Sequence, residues 1–269
     1  MVKCVSSFLL FSLFSIQAMS AENHIDLHQP KDFVDITTVA PDVQVDMRYF
    51  TSHNFIGRPL FGRESRYAIG RPIKGYNAPV CLLTRPAANA VKQVADRLRP
   101  FGLTLKIYDC YRPQSAVNDF IAWAKDPSQN QMKNEFYPLV EKKRLFEEGY
   151  LAARSGHSRG STLDLTIVPL DSKIPIYHPG RPLVNCTASA AQRSPDNSLD
   201  FGTGFDCFSP LSHPDNAMLT AQQRANRLLL QTLMRDAGFT PLDTEWWHFS
   251  LTHEPYPNTW FDFPVKQRP

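Results

Sequence analysis

Apolar positions recur along this chain at two spacings, and the switches between them predict its elements. After Thr84-Arg85-Pro86, residues Ala87, Ala88, Val91, Val94, Ala95 and Leu98 fall at helical spacing, and Pro100 with Gly102 closes the helix. Leu103-Thr104-Leu105-Lys106-Ile107-Tyr108 then alternates as a strand with one buried face. Ala116, Val117, Phe120, Ile121 and Ala124 mark a second helix, and a charge-rich third is expected over about Leu139 to Glu148. The next strand carries Leu163, Leu165 and Ile167 on one side and Thr162, Asp164 and Thr166 on the other. Thr220-Ala221-Gln222-Gln223 is a capping-box start, with Leu228, Leu229, Leu233 and Met234 as the apolar stripe up to Gly238. A short strand is expected near Val43-Gln44-Val45. Two stretches lack periodicity: a surface loop between Gly57 and Tyr76, and a Pro- and Ser-rich segment from Val168 to Asp206. Structureless connections of that second length are usually functional or stapled. Strands separated by helices, without regular βαβ alternation, predict one α+β domain over residues 21–269.

The N-terminal stretch stands apart. Lys3, the apolar run Phe8–Ile16 and the small residues Ala18 and Ser20 have the form of a secretory signal peptide over residues 1–20. The run is too short to span a membrane, so no anchor is expected after cleavage. The protein is thus expected to be exported, to a periplasm or beyond. The formal net charge is only +3, without a basic cluster, which argues against a nucleic-acid partner. No exposed apolar stripe is identifiable that would define an oligomer. Beyond Cys4, the cysteines are Cys81, Cys110, Cys186 and Cys207. An even count in an exported chain favours two disulfides, and the absence of CxxC spacing argues against a cysteine zinc site. Of the three possible pairings, Cys81–Cys110 with Cys186–Cys207 is preferred.

Candidate chemistry centres on Ser155–Thr166. Asp164 sits between two threonines on an otherwise apolar strand, where an unpaired charge is costly, so it needs a cation. His157, just upstream in a glycine-flanked turn, is positioned to share a metal ion with it. His248 is the natural third ligand: two imidazoles and one carboxylate leave a fourth position open on zinc, the composition of a hydrolytic site. Glu245 lies three residues before His248 and is suited to move protons to and from water and a leaving amine. On an ideal strand the two would face apart, so Glu245 is expected in a turn or bulge.

The spacings His157-x6-Asp164 and Glu245-x-x-His248 resemble the zinc D-alanyl-D-alanine peptidase superfamily. Three longer segments resemble its D-alanyl-D-alanine dipeptidases in particular. They are Tyr108-Asp109-Cys110-Tyr111-Arg112-Pro113, Ser155–Ser161, and Glu245-Trp246-Trp247-His248 running on through Glu254-Pro255-Tyr256-Pro257-Asn258 to Phe261-Asp262-Phe263-Pro264. The likeness extends from about residue 40 to the end.

The resemblance implies a central, mainly antiparallel sheet flanked by helices, as in hedgehog-like peptidases. It also implies one zinc ion per chain on His157, Asp164 and His248, with Glu245 as general base and acid. Arg112 would stabilise the oxyanion, a role that a fixed guanidinium in a dry site suits on physical grounds. Asp206 with Tyr49 would hold the ammonium of a free D,D-dipeptide, and Ser155 and Tyr76 would line the pocket near its carboxylate end. The Gly57–Tyr76 and Val168–Asp206 segments look longer than in compact members, and a Cys186–Cys207 bridge would pin the second beside Asp206. Two rivals share the metal set. One is a D,D-carboxypeptidase or endopeptidase on peptidoglycan stems, with an open groove in place of an ammonium anchor. The other is a non-catalytic binding module, which would lack the base or the oxyanion residue. Antibiotic resistance, cell-wall recycling and D-alanine scavenging all fit the leading chemistry.

Overall fold

The computed structural model describes Met1 and residues 24–57 and 73–267. The expected signal peptide and most of the Gly57–Tyr76 loop lie outside the described residues. In chain order the elements are β1 (His24–Asp26), β2 (Phe33–Asp35), β3 (Gln44–Val45), β4 (Leu82–Thr84), α1 (Arg85–Leu98), β5 (Leu103–Asp109), α2 (Gln114–Lys125) and α3 (Lys133–Phe136). They continue with β6 (Thr162–Pro169), α4 (Ala221–Asp236), β7 (Phe239–Leu242), β8 (Glu245–Leu251) and β9 (Thr259–Phe261). The central sheet has five strands in the order β3-β5-β6-β8-β7, parallel only at its β3–β5 edge. Two small pairs, β1 with β9 and β2 with β4, stand outside it.

Register explains the two faces of this sheet. Leu105 pairs with Ile167, Ile107 with Leu165, and Leu163 with Phe249, so these buried side chains share one face. The opposite face carries Lys106, Thr166 and Asp164, and the connection after β6 folds over it. Lys106 Nζ reaches Asp196 Oδ1 at 2.6 Å, Ser198 meets Thr166, and Phe201 and Phe205 stack on Trp246 and Tyr108. That leaves α1, packed on β5, and α4, packed on β7, to cover the apolar face, where the two helices also touch. Of the Val168–Asp206 segment, Val168 and Pro169 still belong to β6, and the rest contains no strand or α-helix, in keeping with its missing periodicity. Cys186 is bonded to Cys207 and Cys81 to Cys110.

Two expected details differ. Only a 3-10 turn, Lys142–Arg144, forms where a helix was expected over Leu139–Glu148. Lys142 bends back to donate to the carbonyls of Asp126 and Gln129, Leu139 is exposed, and Gly149 follows at φ +79°. Without a continuous apolar stripe, so short a segment lacks the packing that sustains a helix. In α4 the capping box forms as expected, but Leu228 and Leu229 face solvent. The buried stripe is Asn226, Arg227, Leu230, Leu233 and Met234. Arg227 donates to the carbonyls of Phe201, Leu211 and His213, and Asn226 to that of Asp200. Satisfying four carbonyls of the covering connection outweighs burying two leucines.

Candidate active site

The register that separates the two faces also assembles the site. On the polar face Asp109 of β5, Asp164 of β6 and His248 of β8 lie side by side across three strands. A bulge in β5 is responsible for the first: two residues advance from Ile107 to Asp109 while β6 moves one, from Leu165 to Asp164. A larger irregularity lies in β8, where one step along β7 spans Glu245 to Phe249. It turns Glu245 to the same side as His248, with Oε2 3.6 Å from His248 Nδ1, so the expected bulge is present.

His157 arrives from the turn before β6. Ser155 caps this 3-10 turn, Gly156–Arg159, its hydroxyl oxygen accepting from the His157 amide. Gly160 closes it at φ +82°, and a Cβ there would lie 2.2 Å from the Phe33 ring. Both steric terms exclude a side chain. Gly160→Ala is therefore expected to destabilise the fold by about 2–4 kcal/mol and to weaken metal binding through His157. Urea unfolding with and without metal measures both effects. His157 Nδ1–H donates to the Cys110 carbonyl at 2.8 Å, which leaves the Nε2 lone pair facing the cluster. The Cys81–Cys110 bond pins the chain that bears this carbonyl.

His157 Nε2, His248 Nδ1 and Asp164 Oδ1 form a near-equilateral triangle with edges of 3.3, 3.4 and 3.0 Å. Donors at about 2.0–2.2 Å around a tetrahedral zinc ion stand roughly 3.3 Å apart, so this donor set fits such an ion as it stands. Asp164 Oδ1 is buried with no hydrogen bond of its own. Burial pushes the Asp164 carboxyl up, but the two imidazoles outweigh it and hold the group ionised. Burial holds the His248 imidazole below its ordinary range, against the pull of Asp164, and so in the neutral form a metal needs. Among the described residues this is the one group of three such side chains able to share a metal.

The cluster lines a cavity of about 270 Å³, together with Tyr49, Arg112, Ser155, Asp206 and Glu245. Larger cavities exist elsewhere, but none carries the cluster. Arg112 lies between the rings of Tyr49 and Phe120, its Nε bonded to Asp109 Oδ2 at 2.9 Å and its Nη2 3.7 Å from Asp164 Oδ2. Tyr49 donates to Asp206 Oδ2 at 2.8 Å. Asp206 adopts φ +57°, which is uncommon for a residue with a side chain. Cys207, bonded to Cys186, and Phe205, stacked on Tyr108, hold it on either side. Burial and the Asp164 charge raise the Asp206 carboxyl to about 8. Glu245 is pushed up in the same way, by burial and then by Asp164 and Asp206.

The structure thus brings His157, Asp164, His248, Glu245, Arg112, Asp206, Tyr49 and Ser155 to one cavity. Tyr76 is the correction. It stands behind the wall, fully buried, donating to Asp109 Oδ1 at 2.8 Å and lying against the Tyr49 ring, so it meets the cavity through its neighbours. Asp109 itself was assigned no role from sequence. Its signal was a carboxylate closing an apolar strand three residues before Arg112, and the β5 bulge gives it a function as the fixed partner of that guanidinium.

A family model described as D-ala-D-ala dipeptidase matches residues 29–176 and 189–266. The chain belongs to the D-ala-D-ala dipeptidase family. This is a family of metallopeptidases, and the chain is an enzyme of that kind. The family match breaks at residues 177–188, inside the long connection and across Cys186. The D-alanyl-D-alanine dipeptidase of Streptomyces coelicolor is 33% identical over 234 residues, covering 87% of this chain and 98% of that protein. That of Enterococcus faecium is 32% identical with the same coverage. That of Escherichia coli is 26% identical over 220 residues, covering 82% and 84%. The family's dipeptidase character agrees with a small cavity whose walls carry charge of both signs.

Proposed function

We propose that the protein is a zinc-dependent dipeptidase that hydrolyses free D-Ala-D-Ala to two D-alanines. The observation that carries this reading is the buried Asp206–Tyr49 pair sharing one small cavity with the metal-ligand cluster and Glu245. A buried carboxylate beside the reacting centre suits a substrate whose ammonium is one residue from the scissile bond. Its volume is below the roughly 300–1,000 Å³ of sites for drug-sized ligands, which supports a dipeptide over a polymer.

Zinc held by His157, Asp164 and His248 would supply Lewis acidity, activating water and polarising the scissile carbonyl. Asp206 binds the substrate ammonium and sets the carbonyl beside Arg112. Glu245 takes a proton from the attacking water and returns it to the leaving amine nitrogen. Its raised affinity for a proton suits both halves of that exchange. Arg112 donates to the oxyanion as it develops; because Asp109 and two rings already fix it, no reorganisation is required. Phe55, Phe120 and Phe208 on the wall limit water access.

The enzyme is proposed to act outside the cytoplasm, most simply in a periplasm. The signal-like opening residues and the two disulfides support an oxidising compartment. Mass spectrometry of protein recovered from periplasmic fractions should find Ala21 at the N-terminus. No helix among the described residues is long and apolar enough to cross a membrane.

One experiment tests the activity. Purified protein is incubated with D-Ala-D-Ala, an N-acylated D-Ala-D-Ala peptide and L-Ala-L-Ala, with and without a chelator. Turnover of the free D,D-dipeptide alone, abolished by chelation and restored by zinc, is expected. D-Alanine released from the acylated peptide but not from the free dipeptide would replace this reading with a carboxypeptidase. No hydrolysis by zinc-loaded protein would favour a binding module.

A further inference from the structure

The cavity leaves one end of a dipeptide without an assigned partner of opposite charge. A free dipeptide carries a carboxylate as well as an ammonium, about 6–7 Å apart when extended. Asp164, Asp206 and Glu245 would repel that carboxylate, so it must lie away from them and near a cation. Among the described residues, two guanidinium groups and no lysine line this cavity: Arg112 and Arg159. Arg112 is committed to Asp109 and Asp164 and stacks on Tyr49, the partner of Asp206. It therefore stands at the reacting centre, beside the carboxylates, and serves the oxyanion.

Arg159 stands on the same turn as His157, at the other end. Its Nε donates to Glu254 Oε1 at 2.8 Å, and its guanidinium lies 5.7 Å from the centre of the Trp260 ring. These contacts orient the group without using its Nη nitrogens, which donate to no described residue. Gly156 adjoins Arg159 closely: a Cβ on it would lie 2.8 Å from Thr162 Oγ1 and 3.5 Å from both Arg159 Nη2 and Ser250 Oγ. Ser155 lines the same stretch of wall, and because its oxygen already accepts from the His157 amide, its O–H remains to be donated.

We propose that Arg159 binds the substrate's terminal carboxylate through its free Nη groups and thereby confines the enzyme to peptides ending one residue after the scissile bond. This rests on the dipeptidase reading and adds a second charge anchor to it. Arg159 is a specificity residue, for it touches the substrate at the end remote from the proton transfers.

The test compares D-Ala-D-Ala with its C-terminal amide, D-Ala-D-alaninamide, in zinc-loaded parent enzyme and in Arg159→Met, whose stem still packs on Trp260. The parent should prefer the acid. The variant should lose about 30–100-fold in kcat/KM on the acid, mainly through KM, and change less than about 3-fold on the amide. Equal losses on both substrates, or no loss on the acid, would overturn the proposal. Should the methionine variant fail to fold, Arg159→Lys carries the test: about a 10-fold loss confined to the acid supports it, and equal losses oppose it. A parent that cleaves neither substrate would overturn the dipeptidase reading itself. A parent active on both, with a variant that shows no acid-specific loss, would overturn the carboxylate anchor alone.

Discussion

Glu245→Ala is expected to retain its metal while turning over about 10²–10⁴-fold more slowly. The carboxylate stands outside the three-donor triangle, its nearest oxygen 3.6 Å from His248 Nδ1, so removing it leaves the ligand set whole. Its loss falls on kcat, because no other carboxylate lining the cavity is free to exchange a proton. Asp164 is held ionised by the imidazoles, and Asp206 is occupied by Tyr49 and the ammonium. The variant should also be at least as stable as the parent, since burial and two neighbouring carboxylates disfavour the charged form of Glu245. Metal analysis, steady-state kinetics and urea unfolding on one preparation read all three. A variant with near-normal kcat would remove Glu245 from the proton-transfer role.

Asp206→Asn is expected to lower kcat/KM for the free dipeptide by about 100-fold or more, because a buried ammonium would lose its counter-charge. The variant also isolates a pH effect in metal-free, ligand-free protein. The Asp206 carboxyl is raised from 3.8 to about 8, first by burial and then by Asp164. Between these values the folded state holds a proton that the unfolded chain releases, so stability present at low pH is lost as pH rises towards 8. Asparagine cannot titrate. The parent should therefore fall relative to the variant, by on the order of several kcal/mol, between pH 5 and pH 8. Chelated samples compared by urea midpoint measure this; parallel pH profiles would show that Asp206 is not held neutral by its surroundings.

What was legible in the chain was whatever depends on short spacing. The helix at Arg85–Leu98, the strands at Leu103–Asp109 and Thr162–Pro169 and the capping box at Thr220 follow from local periodicity and local hydrogen bonds. The glycine-flanked His157 turn, the odd carboxylate Asp164 and the close pair Glu245 and His248 were visible for the same reason. The expected helix at Leu139–Glu148 failed because side chain-to-backbone bonds from Lys142 replaced the apolar stripe. The α4 stripe differs from its local pattern because its buried face is chosen by carbonyls of a remote loop, to which Arg227 is a better match than leucine.

Tertiary structure decided what depends on register and on contacts between distant segments. Two irregularities, in β5 and at the start of β8, align Asp109, Asp164 and His248 and turn Glu245 toward them. A shift of one residue would move each side chain to the opposite face, and no local pattern encodes the pairing of strands so far apart. The same holds for Tyr76, which sequence placed on the cavity wall and the fold places behind Asp109. It holds equally for Asp206, brought under Tyr49 by a stapled connection without periodicity. The sequence alone determined the chemical groups at hand and the local frames that carry them. The three-dimensional pairing of those frames decided which groups share a cavity, because charge, metal geometry and proton transfer act over ångströms of space.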